Sequence, residues 1–223
     1  MADDRSSPAR LVSALAAMTA VMLLVAALGE WLLLPSATVR DLDEGGVARG
    51  VGLLTTVPGL ESVALLWSDL TQPWVVHTLV LVVALLLLAR GRVSSRALLV
   101  VPISLVGWTL EAVCKVLVER PRPAEAVVEV GSWSYPSGHA TNAALGAVLL
   151  ITLVTTVRSA WVRWGATTLV VIGAVLTAAD RVVLGVHYPG DVLSGLLLGT
   201  VLGLIGVWGL APTAHPPLES RAG

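Results

Sequence analysis

The sequence predicts an all-α, polytopic membrane protein in which six transmembrane helices form one bundle. Three observations support this prediction: the composition is strongly apolar, the apolar residues fall in six long runs, and arginines collect at alternate ends of those runs. Of the 223 residues, 56% are hydrophobic and 13% are charged, whereas soluble domains carry about 25% charged residues. The mean hydropathy is +0.85. An ordinary soluble domain and a disordered chain are therefore both excluded.

The six runs define the predicted spans, because a membrane-spanning helix needs about 20 mainly apolar residues. The spans are Leu11–Leu34, Leu70–Ala89, Ala97–Val118, His139–Val157, Trp161–Leu184 and Asp191–Leu210. The first run is longer than the roughly 7–15 apolar residues of a signal-peptide core, so we interpret it as a retained span. The predicted organisation is an N-terminal tail of residues 1–10, a transmembrane domain of residues 11–210 and a C-terminal tail of residues 211–223.

The arginines predict the orientation, because cytoplasmic loops of membrane proteins are enriched in Lys and Arg. Eight arginines share one side if the chain crosses six times: Arg5, Arg10, Arg90, Arg92, Arg96, Arg158, Arg163 and Arg221. We therefore predict a protein of the cytoplasmic membrane with both termini in the cytoplasm. The long segment 35–69 becomes an outer loop, in which Val51–Trp67, broken at Pro58 and Gly59, forms short helices on the membrane surface.

Other features of the sequence bear on partners. There is no basic tail or run of Lys and Arg, so nucleic acid is not a predicted partner. Glycines at four-residue spacing in the sixth span, Gly195, Gly199 and Gly203, predict close helix packing. That packing lies within one chain in the interpretation we favour, and it leaves a monomer and a homodimer both open.

Three polar stretches interrupt the apolar runs, and the predicted topology brings all three to the outer face. They are Lys115–Pro123 at the end of span three, Ser134–His139 at the start of span four, and Asp180–Asp191 between spans five and six. If the helices did not share a site, there would be no reason for two histidines and three cations to lie on one surface. This convergence predicts a site for chemistry at the outer end of the bundle.

The residue types in these stretches suit an anion such as phosphate. Ser137 is a good N-cap and Gly138 permits close approach of the backbone, and a helix N-terminus favours anions. His139 would project from the first turn beside that anion. Further cations come from Lys115, Arg122 and Arg181, which would stabilise the negative charge of a transferring phosphoryl group.

His187 and Asp191 are four residues apart, so they face the same way if the first turn is helical. A carboxylate bonded to one imidazole nitrogen fixes the tautomer and leaves the other nitrogen free to act as a nucleophile. Pro189, between them, is tolerated at the start of a helix. The pair therefore predicts a histidine prepared for nucleophilic attack.

The three motifs together, K-x6-RP, PSGH and R-x5-H-x3-D, resemble the signature of the type 2 phosphatidic acid phosphatase and haloperoxidase superfamily, particularly its small bacterial membrane members. The matching residues are Lys115, Arg122, Pro123, Pro136, Ser137, Gly138, His139, Arg181, His187 and Asp191. One position departs from the pattern: Asp180 precedes Arg181, where a serine is usual. An ionised carboxylate cannot donate to phosphate, so Asp180 is expected to face elsewhere or to pair with an arginine.

The resemblance implies a role for each matching position. His187 would be the nucleophile that becomes a phosphohistidine, and Asp191 would orient and polarise it. His139 would be the general acid for the leaving oxygen and then the base for the hydrolytic water. The phosphate cradle would comprise Lys115, Arg122, Ser137, Gly138 and Arg181. The resemblance also implies a metal-independent phosphatase without a cofactor, and the sequence has no metal-binding motif of the HExxH or Cys/His type.

The predicted function is hydrolysis of a phosphomonoester or pyrophosphate on a lipid. Polyprenyl pyrophosphate, phosphatidylglycerol phosphate, phosphatidic acid and a lipid-linked phosphosugar remain open as substrates, because the motifs specify the phosphoryl group and not the tail. The alternative is a transporter or channel that uses Glu30, Glu111 and Asp180 as an ion path. Glu111 also has two interpretations, since it either holds Lys115 toward the site or forms a purely structural ion pair within the span. His77 and His215 lie outside the motifs and are interpreted as structural.

Overall fold

The computed structural model describes residues 8–210, which form helices joined by turns and contain no strand. Within this part of the chain there are eight α-helices: α1 Pro8–Leu28, α2 Ala37–Thr56, α3 Leu60–Leu70, α4 Pro73–Ala89, α5 Val100–Val118, α6 Gly138–Val154, α7 Ala160–Val183 and α8 Pro189–Leu210. A π-helical turn, Gly29–Leu33, follows α1, and a 3-10 helix, Ser95–Leu99, precedes α5. The all-helical prediction is confirmed. Residues 1–7 and 211–223, with the predicted tails and Arg5, His215 and Arg221, lie outside the described residues.

The helices confirm a multi-pass membrane protein with four to five candidate spans. Four helical stretches are long and apolar enough to cross a membrane: Pro8–Leu33, Ala97–Val118, Ala160–Val183 and Pro189–Gly209. The pair α2 and α3, bent by 118°, meets the same criterion together. The other two predicted spans are α4 and α6, with 17 residues each. A helix of that length is about 26 Å long, less than the roughly 30 Å of a bilayer core, so the number of six spans stays a prediction.

Local sequence explains where several helices begin. Ser36, Ser137 and Ser159 are N-caps whose side chains accept from Val39 N, Ala140 N and Val162 N. Proline occupies the first turn of α4 and α8, where its missing N–H breaks no helical bond. The predicted N-cap role of Ser137 is therefore confirmed, and α6 begins at Gly138, one residue before the predicted start of its span.

The segment 35–69 is more ordered than the sequence predicts. The predicted helices in Val51–Trp67 are present, but the first of them is longer than predicted, because α2 begins at Ala37. Its buried residues Asp43, Val47 and Gly50 recur at spacings of four and three, which gives one face of a helix. That face packs against α7 and α8. The predicted break at Pro58 and Gly59 is confirmed, with Gly59 in the left-handed conformation at φ 79°.

The centre of the bundle is α6, which packs most closely against α8. A Cβ atom on Gly199 would overlap the carbonyl oxygen of Thr141, and one on Gly195 would lie 2.7 Å from the carbonyl oxygen of Ser137. Gly203 meets Val148 in the same way. The glycine spacing in α8 therefore produces close packing within the chain, as predicted, and this contact brings the first turns of α6 and α8 together.

Candidate active site

The three polar stretches meet at one end of the bundle, where α5 and α7 end and α6 and α8 begin. The backbone N–H of Ser137 donates to the carbonyl oxygen of Asp191 at 3.0 Å, which joins the starts of α6 and α8. At the opposite end, the guanidinium of Arg10 lies over the Trp208 ring at 4.8 Å. The predicted site residues therefore share one end of the molecule, away from the start of α1.

His187 and Asp191 are adjacent and buried, with Nδ1 of the ring 3.6 Å from Oδ2 of the carboxylate. Ser134 completes this group: its hydroxyl donates to Asp191 Oδ2 at 2.5 Å and lies 3.4 Å from His187 Nδ1. The backbone N–H of Tyr188 donates to the same carboxylate oxygen at 3.0 Å. The carboxylate is thus fixed on the Nδ1 side of the ring, and Nε2 points the other way.

Nε2 of His187 faces the guanidinium of Arg122, which lies 3.1 Å away. Burial, together with the positive charges of Lys115 and Arg122, lowers the pKa of His187 to about 4, although Asp191 opposes this shift. The imidazole is therefore neutral at physiological pH, with an unprotonated Nε2 directed at a cation. An unprotonated imidazole nitrogen beside a cation has the chemistry of a nucleophile toward an anion.

Arg122 is held by backbone carbonyls. Its Nη1 donates to Val186 O at 2.6 Å and its Nε donates to Ser132 O at 2.7 Å. A further bond joins Nη2 to Trp133 O at 3.3 Å. The guanidinium is thus fixed by the protein itself, with Nη1 next to His187.

Lys115 is buried, and its ammonium group donates to Trp133 O at 2.9 Å and Pro136 O at 2.6 Å. It also pairs with Glu111 at 3.4 Å. These contacts attach the loop before α6 to α5. The structure therefore shows that the Glu111–Lys115 pair is at least structural, and contact of Lys115 with phosphate stays a prediction.

Gly138 packs closely against the same ion pair. A Cβ atom at this position would lie 2.9 Å from Glu111 Oε1, so the close approach that the sequence predicts at Gly138 is made by a carboxylate of α5. Among the side chains that the structure describes, Glu111 Oε1 and His139 Nε2 are the buried polar atoms without a hydrogen-bond partner. His139 lies within electrostatic range of Arg181 and His187. An unpartnered ring nitrogen beside the site is available to a leaving oxygen or a water molecule.

Asp180 pairs with Arg181, which is one of the two outcomes expected from the sequence. Arg181 Nε donates to Asp180 Oδ2 at 3.1 Å, and its Nη2 also contacts that oxygen. Both side chains are buried. The carboxylate in place of the usual serine therefore holds the guanidinium of the neighbouring residue, and the backbone carbonyl of Arg181 accepts from His187 N at 3.3 Å.

Sequence reasoning missed three residues of the site: Ser134, Arg120 and Asp43. Ser134 and Arg120 lie inside the quoted stretches, but nothing in the sequence distinguishes them from their neighbours. Arg120 bonds to Asp191 and to Asp43, which belongs to α2. No sequence signal links Asp43 to residues so far along the chain. Burial would lower the pKa of Arg120, but the two carboxylates outweigh it and raise that pKa.

A cavity of about 770 Å³ opens beside the cations. Lys115 and Arg122 line it together with Ser132, Trp133 and apolar residues of α5. A second, apolar cavity of about 420 Å³ lies between α3, α4, α6 and α7 and includes Ala143 and Thr177, which are one helical turn below His139 and Arg181. Among the described residues, no group of three or more His, Cys, Asp or Glu is arranged to hold a metal ion.

Residues 96–212 match the family model of the PAP2 superfamily, and the match covers more than half of the chain. The chain therefore belongs to the PAP2 superfamily, and the resemblance drawn from the three motifs is confirmed.

Particular relatives can be named beside that family. The chain is 39% identical over 88 residues to an undecaprenyl-diphosphatase of Sulfolobus acidocaldarius, which covers 40% of this chain and 35% of that protein. It is 32% identical over 108 residues to a decaprenylphosphoryl-5-phosphoribose phosphatase of Mycobacterium tuberculosis, covering 45% and 53%. The matches thus span about a third to a half of these curated relatives.

A solved structure is similar over most of both chains. It is a transmembrane PAP2-type phosphatidylglycerolphosphate phosphatase from Bacillus subtilis, with a TM-score of 0.72 and 26% sequence identity. The likeness covers 86% of this chain and 94% of that chain. The helical arrangement described above is therefore shared with a membrane protein of the same superfamily.

Proposed function

We propose that this protein is a membrane lipid phosphatase that cleaves a phosphomonoester or pyrophosphate through a phosphohistidine on His187. The observation that carries the proposal is the placement of the buried ring of His187, whose Nδ1 side lies against Asp191 and whose Nε2 faces Arg122. Well-packed apolar residues would stabilise the fold at least as well as a buried histidine between a carboxylate and a cation. The arrangement is therefore better explained by catalysis than by stability.

The first step transfers the phosphoryl group to the enzyme. Nε2 of His187 attacks phosphorus, the bond from phosphorus to the leaving oxygen breaks, and His139 donates a proton to that oxygen. The proton on Nδ1 stays on the ring, and Asp191 stabilises the positive charge that the ring acquires. Arg122 and Arg181, with Lys115, stabilise the charge on the three equatorial oxygens.

The second step releases phosphate. His139 removes a proton from water, the water oxygen bonds to phosphorus, and the bond from phosphorus to Nε2 breaks with its electron pair returning to the ring. His187 is then neutral again, and His139 holds the proton that it donates in the next cycle. No step uses a metal ion in this proposal.

The lipid nature of the substrate follows from the position of the site. The site lies at the end of helices whose outer faces carry large exposed apolar side chains, so a membrane-embedded tail and the phosphate can be bound together. The named relatives act on undecaprenyl diphosphate, decaprenylphosphoryl-5-phosphoribose and phosphatidylglycerol phosphate. Phosphatidic acid completes the set of substrates that we propose to test.

We further propose six spans, cytoplasmic termini and an active site on the outer face of the cytoplasmic membrane. In this topology α4 and α6 are the two short spans, and the loop between α5 and α6 is outside. A cysteine introduced at Ala126, in that loop, should react with an impermeant reagent in intact cells. Labelling only after lysis would invert the topology. The native Cys114 is buried and serves as the background control.

The decisive experiment measures phosphate release by the purified protein from the four lipid classes, with and without EDTA. We expect His187→Ala to abolish release from every substrate, while His215→Ala, outside the motifs, retains it. Substrate labelled with ³²P should leave an enzyme-bound group that survives alkali and is lost in acid. Full activity of His187→Ala would disprove the nucleophile assignment, and loss of activity with EDTA would disprove metal independence. The transporter alternative loses its support, because Glu111 and Asp180 are paired with Lys115 and Arg181.

A further inference from the structure

Behind Asp191, on the side away from His187, a guanidinium lies between two buried carboxylates. Arg120 Nη1 donates to Asp191 Oδ1 at 2.5 Å, and its Nη2 donates to Asp43 Oδ2 at 2.7 Å. Asp43 is 2% exposed and Asp191 is 0% exposed. Arg120 follows α5, Asp43 lies on α2 and Asp191 lies on α8, so one side chain links three separate elements.

Asp43 also contacts the first turn of α8 directly. Its Oδ1 accepts a hydrogen bond from Gly190 N at 2.7 Å. A Cβ atom on Gly190 would lie 3.1 Å from both oxygens of Asp43, and one on Gly46 would overlap the ring of Pro189. This face of α2 therefore fits closely against the two residues that precede Asp191.

The hydrogen bonds to Asp191 determine which of its two carboxylate oxygens faces the ring of His187. Oδ1 accepts from Arg120, and Oδ2 accepts from Ser134 and from Tyr188 N and faces the imidazole. With Asp43 present, one positive charge is shared by two carboxylates. Without that second carboxylate, the full charge of Arg120 would act on Asp191 and weaken its effect on the ring.

We propose that Asp43 and Arg120 are positioning residues, which hold Asp191 in the orientation and charge balance that His187 requires. The proposal rests on the proposed role of His187 as nucleophile. Neither residue bonds to His187, so each acts through Asp191. The segment 35–69, which carries none of the three motifs, thereby becomes part of the phosphatase machinery.

The other groups around His187 cannot replace this contribution. Lys115 of α5 and Arg122 after α5 act on the ring as positive charges. His139 of α6 is a second imidazole within electrostatic range, and Arg181 of α7 is paired with its own neighbour and contributes its backbone carbonyl to His187 N. Among the described residues, Asp191 is the carboxylate that supports the ring. No other carboxylate in that part of the chain is therefore placed to compensate for a change in the charge around Asp191.

The test is Asp43→Asn, which removes one charge and keeps the size of the side chain. We expect kcat to fall about tenfold, as for loss of the outer partner of a functional ligand, with KM within about twofold because the phosphate cradle is untouched. The acid limb of kcat/KM should move to lower pH, because Asp191 supports the protonated ring less. Asp41→Asn, an exposed carboxamide substitution two residues earlier on α2, should change neither quantity.

A double-mutant cycle with Arg120→Gln tests whether the two residues act as one unit. We expect the double variant to lose little more than the worse single variant, because each loss passes through Asp191. Additive losses would overturn the proposal. It would also be overturned if kcat per folded molecule were unchanged and only the melting temperature fell, since that result would make the pair purely structural.

A measurement without substrate separates this proposal from the proposed function. The ¹⁵N resonances of the histidine rings, with His187 identified by its loss in His187→Gln, report the titration of that ring directly. We expect Asp43→Asn to shift this titration to lower pH and Asp41→Asn to leave it unchanged. If the wild type hydrolyses no lipid phosphate but the shift is found, the function fails and the positioning inference holds. An unshifted His187 would overturn the inference even in an active phosphatase.

Discussion

Replacing Lys115 by Met removes the ammonium group that joins α5 to the loop before α6. The structure gives two costs for this change. Lys115 donates to two backbone carbonyls, of Trp133 and Pro136, and it neutralises the buried carboxylate of Glu111. The side chains of the ion pair are only 11% and 4% exposed, and breaking a buried pair by removing one partner costs about 3–5 kcal/mol. The single variant should therefore unfold at clearly lower temperature.

The double variant Lys115→Met/Glu111→Gln separates the structural role from the proposed phosphate contact. It leaves no unpaired buried charge, so we expect it to recover most of the stability that the single variant loses. Its activity should stay at least about 100-fold below the wild type, the usual cost of removing one preorganised group that stabilises transition-state charge. Stability without activity would thus identify Lys115 as a phosphate ligand.

Thermal unfolding followed by tryptophan fluorescence in detergent measures the first quantity, and phosphate release from lipid measures the second. Arg92→Met, an exposed cation at the opposite end of the bundle, is the control and should change neither. A double variant with wild-type activity would refute the phosphate contact and leave Lys115 as a structural residue. A single variant as stable as the wild type would refute the energetic argument from the ion pair.

Three further predictions follow from the site and the packing. The acid limb of kcat/KM should lie near pH 4, because burial lowers the pKa of His187 from its ordinary 6.5 to about 4. The ring then stays neutral, and able to attack, between pH 6.5 and pH 4. A midpoint near pH 6.5 would contradict this prediction. Ser134→Ala should lower kcat by roughly 10- to 100-fold, since a hydrogen bond to a charged group contributes about 1.5–3 kcal/mol, and Ser134→Thr should restore part of it in the same phosphate-release assay. Gly199→Ala should destabilise the protein by about 1–3 kcal/mol through overpacking against Thr141, measured by thermal unfolding, whereas Gly165→Ala, which meets no neighbour, should not.

Long apolar runs allowed most of the fold to be predicted from the sequence. Each of the six predicted spans coincides with a helix, and their ends agree within a few residues because serine caps and prolines mark them. The first part of α2, residues 37–50, was not predicted to be helical. Its buried face consists of an aspartate, a valine and a glycine, and such a face becomes apparent only when the surfaces of α7 and α8 that it covers are known.

The candidate site was predictable where motifs carry it and unpredictable where contacts cross the chain. The motifs predicted that His187, Asp191 and Arg122 share a site, and the structure places these three side chains next to one another. Arg120 stands at one of the six positions that K-x6-RP leaves unspecified, and its proposed importance depends on Asp43, far away in sequence. The contacts of Lys115 with two carbonyls were equally hidden, since a lysine in a phosphate motif gives no sign that backbone atoms occupy its ammonium group.

The central position of α6 has a consequence for how the protein is made. Thr141 and Asn142 of this helix are fully buried by other elements, and a polar residue left facing lipid is costly. Gly199 of α8 supplies the backbone surface against which Thr141 packs, and α8 is synthesised after α6 and α7. The helix α6 therefore reaches its final surroundings only after α8 has been synthesised, with His187 just before that helix and Asp191 in its first turn. The candidate site and the packing around α6 are therefore completed together, because the same part of the chain supplies His187, Asp191 and the surface of α8.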